Sequence, residues 1–313
     1  MTRRGEMSQA GGMKRIWGII VVVGTLLAGA CAPPSPAPNG SIPQNANYLS
    51  NGLIVDGDSL WVADLLGQQL IKFDPDTGRI IRRVGPSNGL VSPDDGVVMD
   101  DGSLVATSPV GDLVQQVALD GTVKVLARLS FGPNPIVRDP NDPAAVLVGD
   151  AMSNPSQMYR VFTDGRAPEV VVSGLPPING FSFGPDGAIW APTGGFASLI
   201  GSTGGIVRID VDNGTFQPFG LTFPGEPGKT GFAYDVSAKF GPDGQLYVLQ
   251  GFDAAVYRVD PNTGMADRIA NVPGGFGDNM AFTPDGRLFV SGFLGPVFEI
   301  RSDGTARAVP IGG

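Results

Sequence analysis

The chain has 313 residues, including 47 Gly and 28 Pro, with 21 basic against 30 acidic side chains and a net charge of −9. It contains no His, which excludes imidazole bases, His-dependent nucleophile triads and the usual His-liganded zinc sites. An acidic chain without a basic cluster is a poor candidate for binding nucleic acid or for direct contact with anionic lipid.

An export signal is predicted at the N-terminus. A basic segment, residues 13–15, precedes an apolar run, residues 16–30, which ends in small residues before Cys31. This order is typical of a secretory signal, and the run is shorter than the roughly 20 residues that a membrane-spanning helix needs. We therefore predict that residues 1–30 are a lipoprotein-type signal peptide and that Cys31 is lipidated. The alternative is an incidental Cys in an ordinary signal peptide.

The segment after the signal is rich in Pro and lacks an apolar pattern. We predict that residues 31–48 comprise the lipidated Cys and an extended tether. Because Cys31 is the only Cys of the chain, we expect neither a disulfide nor a thiolate site in the mature protein. The predicted localisation is the bacterial cell envelope, on its periplasmic or outer face, with the lipid anchor as the membrane contact.

A four-strand pattern recurs six times over residues 49–313. Turns such as Pro185-Asp186-Gly187 separate short runs rich in β-branched and aromatic residues, and the Gly supplies the positive φ that these turns need. A four-stranded unit that recurs about every 45 residues is typical of a propeller blade. The sequence thus predicts an all-β fold, a six-bladed β-propeller of four-stranded antiparallel blades. Residues 41–50 could add a strand that closes the ring.

Propeller geometry places the tight turns of all blades on one face and the longer connections on the other. On the long-loop face, the first strand of each blade opens with an Asn or Asp at the mouth of the central channel. These oxygens form a reasonable shell for Ca²⁺, Mg²⁺ or a small polar ligand, although each side chain could instead bond only to its own turn. The six residues are Asn51, Asp95, Asn134, Asn179, Asp235 and Asn279.

Two connections on the long-loop face are unusually long, residues 193–205 and residues 220–234. Both flank the passage from the fourth blade to the fifth. Because long loops on a rigid scaffold often carry function, we predict that these two form a lid or wall beside the channel mouth.

One segment resembles a known family. Residues 178–187, Ile-Asn-Gly-Phe-Ser-Phe-Gly-Pro-Asp-Gly, are similar to the Asn-Gly…Ser-Pro-Asp-Gly segment of the senescence-marker-protein/gluconolactonase family. That family includes the luciferin-regenerating enzymes, and the chain resembles the NHL-repeat propellers more loosely. The resemblance covers the six-blade region and implies the propeller fold and a lactone-hydrolase activity.

The resemblance also implies one divalent cation at the channel mouth, held by a Glu, an Asn and an Asp. Asn179 and Asp235 match the Asn and the Asp, and Asn134 matches a further Asn near the bound water and substrate. Where the family has the Glu, this chain has Asn51, and losing one anionic ligand would weaken cation binding. The acidic residues that could compensate are Asp95 and Glu226.

Three functions stay open at this point, so the sequence leaves open whether the protein is an enzyme. The main prediction is an envelope lipoprotein whose propeller binds a small polar ligand or a partner protein on its long-loop face. The alternative is a divalent-metal-dependent hydrolase of lactones or related esters, with Asp235 as cation ligand and general base. The third is a structural component of an envelope assembly, which requires an exposed apolar patch on one face. One divalent cation, Ca²⁺ or Mg²⁺, is the expected cofactor, with no zinc site and no organic cofactor.

Overall fold

The computed structural model describes residues 50–129, 132–194, 204–293 and 296–312. The predicted signal peptide, the tether and Cys31 lie outside these residues. In the part of the chain that is described, twenty-four strands form six antiparallel sheets of four strands each. No helix in that part is long and apolar enough to cross a membrane.

The strands follow one another blade by blade. The first three blades contain β1 Ser50–Asp56, β2 Ser59–Asp64, β3 Gln69–Phe73, β4 Ile80–Val84, β5 Gly96–Val98, β6 Leu104–Ser108, β7 Leu113–Val117, β8 Val123–Arg128, β9 Pro133–Arg138, β10 Ala145–Asp150, β11 Ser156–Phe162 and β12 Glu169–Leu175. The last three contain β13 Ser182–Phe183, β14 Ile189–Pro192, β15 Ile206–Asp210, β16 Thr215–Phe219, β17 Asp235–Phe240, β18 Leu246–Gln250, β19 Ala255–Val259, β20 Ala266–Asn271, β21 Gly277–Phe282, β22 Leu288–Gly292, β23 Val297–Ile300 and β24 Ala306–Ala308.

This architecture confirms the predicted six-bladed propeller. In every sheet the strands pair in chain order, so each blade is an antiparallel meander. The innermost strands are the first of each blade, and they begin within three residues of the positions predicted from the sequence. The second strands read as apolar runs because blades pack on both of their faces, as in Leu60 to Ala63 of β2, which are all buried.

The ring closes between the last blade and the first. Strand β1 packs against β21, and the Ser291 hydroxyl donates a 2.5 Å hydrogen bond to the backbone carbonyl of Asn51. On the turn face, Arg287 forms a 2.8 Å ion pair with Asp76. The last blade takes all four of its strands from residues 277–308. Of the strand predicted from residues 41–50, only Ser50 is described, and it begins β1.

Neighbouring blades also meet where a tight turn touches the segment that follows the outer strand of the preceding blade. Gly78, in the turn between β3 and β4, has a φ of +72°, and a Cβ added there would lie 2.2 Å from the carbonyl oxygen of Pro310. Gly264 is placed in the same way, with its Cβ position 2.0 Å from the carbonyl oxygen of Gly220. Gly in these turns therefore serves the packing of blades as well as the turn itself.

Candidate functional site

β-Bulges turn polar residues of the innermost strands toward the channel mouth. In β1, Asn51 and Gly52 lie opposite one residue of β2, and in β21 Asp278 and Asn279 lie opposite one residue of β22. Strand β9 has the same irregularity at Asn134. A bulge adds a residue to one strand and re-aims side chains, which is why such features often lie beside functional sites.

Hydroxyl groups of the second strands hold these bulges in register with the next blade. The Thr107 hydroxyl of β6 donates a 2.6 Å hydrogen bond to the carbonyl of Asn134, one blade further on. Ser291 of β22 does the same for the carbonyl of Asn51 across the ring closure. The bulges of β1 and β9 are thus fixed both by their own sheets and by hydroxyl groups of the neighbouring sheets.

The bulge in β1 packs directly against the start of the second blade. The Asn51 amide donates a 2.6 Å hydrogen bond from Nδ2 to Oδ1 of Asp94, and the Gly52 N–H donates at 2.6 Å to the Asp94 carbonyl oxygen. A Cβ at Gly52 would lie 2.3 Å from that carbonyl oxygen and 2.7 Å from the Cα of Asp95. Only Gly allows the two backbones to approach so closely, and this approach brings Asn51 beside the pair Asp94–Asp95.

Three carboxyl groups lie in this part of the mouth, where Asp95 disfavours the charge of Asp94, and both disfavour the charge of Asp278. Burial and, to a smaller extent, the adjacent Asp95 raise the pKa of Asp94 to about 7, against amide hydrogen bonds from Asn51 and Asn134 that lower it. The pKa of Asp278 lies well above its ordinary value because of burial and because of Asp94 and Asp95. Burial of this kind penalises the ionised form unless a donor or a cation compensates.

Asp95 links the mouth to the interior of the channel. Burial raises its pKa, whereas the positive charge of Lys239 and hydrogen bonds from the Gly96 N–H and the Asn279 side chain lower it. Both Asp95 and Lys239 line a cavity of about 270 Å³ that is otherwise mainly apolar. Lys239 donates a 3.0 Å hydrogen bond to the carbonyl of Phe181, and burial lowers the pKa of Lys239.

Buried oxygen atoms at the mouth lack hydrogen-bond donors among the described residues. They are Oδ1 of Asn51 and Oδ2 of Asp95, whose side chains are 5% and 3% exposed, and Oδ1 of Asp235, which is 0% exposed. Most buried polar atoms in folded proteins have a partner, so an acceptor without one requires an explanation. Each of these atoms is an oxygen acceptor, and that is the ligand type that Ca²⁺ and Mg²⁺ prefer.

Asp235 lies beneath the connection between β14 and β15. Its Oδ2 accepts a 3.2 Å hydrogen bond from the Thr193 N–H, and a Cβ at Gly194 or Gly204 would lie 1.7 Å or 1.8 Å from its Oδ1. Burial raises the pKa of Asp235 to about 8. Gly204 pairs with Phe232 by backbone hydrogen bonds, so the described parts of the two long loops meet beside Asp235.

The second long loop packs against the fifth blade. Phe223 and Phe232 are buried around the ring of Tyr257, and Lys229 donates a 2.5 Å hydrogen bond to the hydroxyl of Tyr257. Glu226 forms a 3.2 Å ion pair with Lys229. This part of the loop is therefore a packed wall of blade five, and Glu226 is paired within it.

Most of the predicted mouth residues enter one network. Asn51 and Asn134 both donate to Asp94, and Asn279 donates to Asp95 while its Oδ1 accepts a 3.0 Å hydrogen bond from Ser237. Asn179 instead accepts a 2.8 Å hydrogen bond at Oδ1 from the N–H of Gly180. That is the turn role left open by the sequence, and a cation role for Asn179 stays a prediction.

Sequence reasoning missed several members of this network, namely Asp94, Asp278, Lys239, Thr107 and Ser291. The adjacent carboxylates at residues 94–95 offered a signal, but the bulges that turn both residues inward leave no mark in the sequence. Lys239 occurs in an innermost strand where alternation directs every second side chain into the channel. A charged residue at such a position could have been recognised as a channel residue.

The mouth can hold a cation only with a mixed set of oxygen ligands. Among the described residues, no group of three or more His, Cys, Asp or Glu side chains is placed to hold a metal ion. Asn51 Oδ1 and Asp95 Oδ2 offer an amide oxygen and a carboxylate oxygen instead. Ca²⁺ accepts such mixed, irregular shells more readily than Mg²⁺, which demands near-octahedral geometry.

Known protein families and curated sequences give no match to this chain. Solved structures do match in fold. A virginiamycin B lyase from Staphylococcus aureus is 14% identical with a TM-score of 0.60 and 86% coverage of both chains. A gluconolactonase from Xanthomonas campestris is 17% identical with a TM-score of 0.61, covering 78% of this chain and 83% of that one. The calcium-binding protein regucalcin from Agrobacterium tumefaciens is 19% identical with a TM-score of 0.58, covering 79% and 83%.

This chain has the same fold as the virginiamycin B lyase, the gluconolactonase and regucalcin. The predicted resemblance to six-bladed propellers of the gluconolactonase, regucalcin and luciferin-regenerating type is thereby confirmed for the architecture. Identities below 20% carry no site residue from those proteins to this one. The site therefore has to be argued from the oxygens and carboxylates at the mouth.

Proposed function

We propose that this protein is a divalent-cation-dependent hydrolase of lactones or related esters, with its reaction centre at the channel mouth. The observation that carries the proposal is the pair of buried, donor-free oxygens, Asn51 Oδ1 and Asp95 Oδ2, beside Asp94 and Asp278, whose pKa values burial and Asp95 both raise. A divalent cation would satisfy both oxygens and relieve the repulsion. The gluconolactonase and regucalcin structures with the same fold support this choice over other chemistries.

The residues that would hold the cation are Asn51 and Asp95. Asn51 is fixed by its hydrogen bond to Asp94, and Asp95 by hydrogen bonds from the Gly96 N–H and Asn279, so both oxygens are positioned before any ligand arrives. Such preorganisation reduces the entropy cost of binding. Ca²⁺ is the expected ion because the ligand set mixes an amide oxygen with a carboxylate oxygen.

When bound, a divalent ion supplies Lewis-acid polarisation of the substrate carbonyl and acidifies a bound water. Water adds to the carbonyl carbon, the ester C–O bond breaks, and the alcohol oxygen leaves with a proton. Asp94 is positioned to carry that proton, because Asn51 and Asn134 hold its carboxyl group beside Asp95. Asp235 as general base stays a prediction, and its carboxyl group lies against Gly194 and Gly204 with a pKa that burial raises to about 8.

Lyase chemistry of the streptogramin type is a poorer fit to this chain. One structure of the same fold is a virginiamycin B lyase described as catalytically inactive when a His is replaced by Ala. This chain contains no His. A chemistry that depends on an imidazole therefore has no group to perform it here.

A second candidate is a binding protein, favoured by Asn51 at the position where an acidic ligand would strengthen a cation site. In that case the mouth binds a small polar ligand or a partner protein without turnover.

Both candidates are compatible with our further proposal that the protein is exported and held in the cell envelope by a lipid on Cys31. Metabolic labelling with a palmitate analogue tests that anchor, and Cys31→Ser should abolish the label.

Calorimetric titration of the purified full chain with Ca²⁺, Mg²⁺ and Mn²⁺ tests the proposed function. We expect saturable one-to-one binding that becomes at least about tenfold weaker in Asp95→Asn, since removing one charged ligand costs about 1.4 kcal/mol or more. The matched control is Asp303→Asn, an acidic residue of a turn between outer strands, which should bind as the unaltered protein does. A screen of lactones and esters, with and without a chelator, follows.

The outcomes separate the candidates. Binding that Asp95→Asn weakens, together with chelator-sensitive hydrolysis, supports the hydrolase. Binding without turnover of any lactone or ester supports the binding protein. No saturable binding of any of the three ions at millimolar concentration would show that the mouth is not a cation site.

A further inference from the structure

Three neighbouring aromatic rings, two of them exposed, form a small shelf on the long-loop face. We use the term aromatic shelf for Tyr234, Phe252 and Phe276. The ring centroids of Tyr234 and Phe252 are 5.0 Å apart, and those of Phe252 and Phe276 are 5.5 Å apart. Phe252 and Phe276 are each 41% exposed. Large aromatic side chains usually bury most of their surface, so two neighbouring rings left open to solvent are notable.

The backbone holds the aromatic shelf in a fixed and strained shape. Tyr234 and Phe276 have φ values of +57° and +54°, a region that bulky residues rarely adopt. The Gly251 N–H donates to the carbonyl of Tyr234 at 2.7 Å, and the Phe293 N–H donates to the carbonyl of Phe276 at 2.7 Å. Strained backbone that the surrounding structure maintains is typical of ligand sites, because it costs stability and needs another reason to persist.

A close fit around Tyr234 adds to this rigidity. A Cβ at Gly251 would lie 2.5 Å from Cδ1 of the Tyr234 ring, so only Gly permits the ring to lie this close to that segment. A Cβ at Gly277, next to Phe276, would lie 2.9 Å from the side chain of Leu249. The shelf is therefore built against the blade rather than loosely extended from it.

The aromatic shelf borders the proposed reaction centre. Tyr234 directly precedes Asp235, and Phe276 is two residues before Asp278. Burial raises the pKa of the Tyr234 hydroxyl, and Asp278 and Asp94 raise it further, so this ring lies within electrostatic reach of the carboxylates at the mouth. A molecule that rests on the shelf would extend to the mouth.

We propose that the aromatic shelf is the substrate-binding subsite of the channel mouth and selects lactones or esters that carry a flat apolar ring. This inference rests on the proposed hydrolase for the reaction, but the binding it describes can be measured without turnover. The ring of the substrate stacks on Phe252 and Phe276, while its ester group points to the mouth. Bare polyhydroxy lactones offer no such ring and are expected to bind poorly.

Size and charge both indicate a small neutral ligand. A stable protein interface uses roughly 20 to 30 residues on each side, whereas the shelf comprises three. The neighbouring Asp94, Asp95 and Asp278 would repel a ligand that carries a carboxylate or phosphate beside its ring. An uncharged aryl lactone or aryl ester presents an apolar face to the shelf without that repulsion.

The test uses two matched pairs of probes on the full chain. Dihydrocoumarin and δ-valerolactone undergo the same ring opening, and only the first has a fused aromatic ring. Chroman and tetrahydropyran are the corresponding ring ethers, which cannot be hydrolysed and report binding alone. The variant Phe252→Ala/Phe276→Ala removes the exposed rings, Phe252→Tyr/Phe276→Tyr keeps them, and Phe216→Ala removes an exposed ring of β16 as a control.

For the unaltered protein we expect chroman to bind measurably more tightly than tetrahydropyran. Removal of both rings should weaken chroman binding about tenfold or more, because both stacking contacts are lost. The same variant should raise KM for dihydrocoumarin with little change in kcat, and should leave δ-valerolactone unaffected. The Tyr variant and Phe216→Ala should behave like the unaltered protein.

Failure of this inference is distinguishable from failure of the proposed function. If neither lactone is hydrolysed but chroman binding still depends on Phe252 and Phe276, the subsite stands and the hydrolase does not. If lactones are hydrolysed while the ring-deleted variant binds chroman as tightly as the unaltered protein, the aromatic shelf is not the subsite. Absence of chroman binding to the unaltered protein would also overturn it.

Discussion

Asp residues have opposite pKa shifts on the two faces of the propeller. On the turn face, Asp74 accepts hydrogen bonds from the Asp76 and Thr77 N–H groups at 2.9 Å and 3.0 Å, and these bonds, led by that from Thr77, lower its pKa. Asp303 is stabilised in the same way by the hydroxyl and N–H of Thr305. At the channel mouth, burial instead raises the pKa of Asp94 to about 7 and of Asp235 to about 8.

The difference lies in the supply of donors. A turn carboxylate meets two N–H groups and water, so it is satisfied locally and stabilises the turn. A mouth carboxylate meets other carboxylates, amides and very little water, so its charge is costly in the folded protein. Proteins tolerate such costs mainly where binding or catalysis requires them, and this difference separates the acids that stabilise turns from those that we propose act at the mouth.

The largest difference that we expect between the two faces is in the stability lost when a Gly is replaced by Ala. Gly52→Ala places a Cβ 2.3 Å from the Asp94 carbonyl oxygen, whereas Gly57→Ala, in a turn with a φ of +58°, meets no atom within 4 Å. We expect Gly52→Ala to lower the free energy of unfolding by about 3 kcal/mol or more, because two backbones must separate. Gly57→Ala should cost about 1 kcal/mol from its left-handed backbone alone.

Urea denaturation of both variants measures the two losses directly. Gly57→Ala serves as the control for the entropic effect of replacing Gly in the unfolded chain. Equal losses would mean that the close approach of β1 to Asp94 and Asp95 is not tight in solution. The mouth would then lack the rigidity on which the cation site depends.

The pH dependence of stability should have opposite signs for an Asp at the channel mouth and an Asp on the turn face. Because the folded-state pKa of Asp235 is about 8 and its ordinary value is 3.8, this group costs stability increasingly as the pH rises from about 4 to 8. Asp235→Asn should therefore raise Tm by about 5 °C or more at pH 8 and by little near pH 4. The pKa of Asp303 is lowered, so its contribution is present at neutral pH and is lost in acid.

Thermal unfolding of Asp235→Asn and Asp303→Asn between pH 4 and 8 checks these signs. Asp303→Asn should unfold at a slightly lower temperature than the unaltered protein at pH 7, with the difference vanishing in acid. If Asp235→Asn lowers Tm at pH 8, the carboxyl group of Asp235 is stabilised as an anion, and a cation or an unseen donor must lie beside it.

Repetition explains how much of this molecule could be predicted from sequence. The six blades follow from turn chemistry that recurs in every copy, and the placement of Asn51, Asp95, Asn134 and Asn279 follows from closing the ring. Each of these four residues does enter the network at the mouth. Those inferences needed only the direction of each strand and the number of blades.

The missing part depended on local backbone that no repeat encodes. Asp94 and Asp278 each precede a predicted residue by one position, and a bulge or its equivalent at the start of the strand turns both members of the pair toward the mouth. The second long loop was predicted as a lid or wall, but its placement depends on Phe223 and Phe232 packing around Tyr257. The aromatic shelf was missed because its rings come from three separate connections.

The smallest effect that we predict comes from replacing one Asn by Asp on each face of the propeller. Asn51 donates from Nδ2 to Oδ1 of Asp94 at 2.6 Å at the mouth, and Asn262 donates from Nδ2 to Oδ1 of Asp260 at 3.2 Å on the turn face. Asn51→Asp sets two buried carboxylates against each other, so Tm should fall in metal-free buffer and recover with Ca²⁺. Ca²⁺ affinity should rise about tenfold, because an added anionic ligand contributes about 1.4 kcal/mol.

Asn262→Asp makes the same change where water and salt screen the charges, so neither Tm nor Ca²⁺ affinity should change measurably. Calorimetry and thermal unfolding of both variants, with and without Ca²⁺, complete the comparison. If Asn51→Asp lowers Tm and Ca²⁺ fails to restore it, the mouth tolerates repulsion without using it to bind a cation. The donor-free oxygens of Asn51 and Asp95 would then have to be satisfied by an organic ligand, as in the binding-protein candidate.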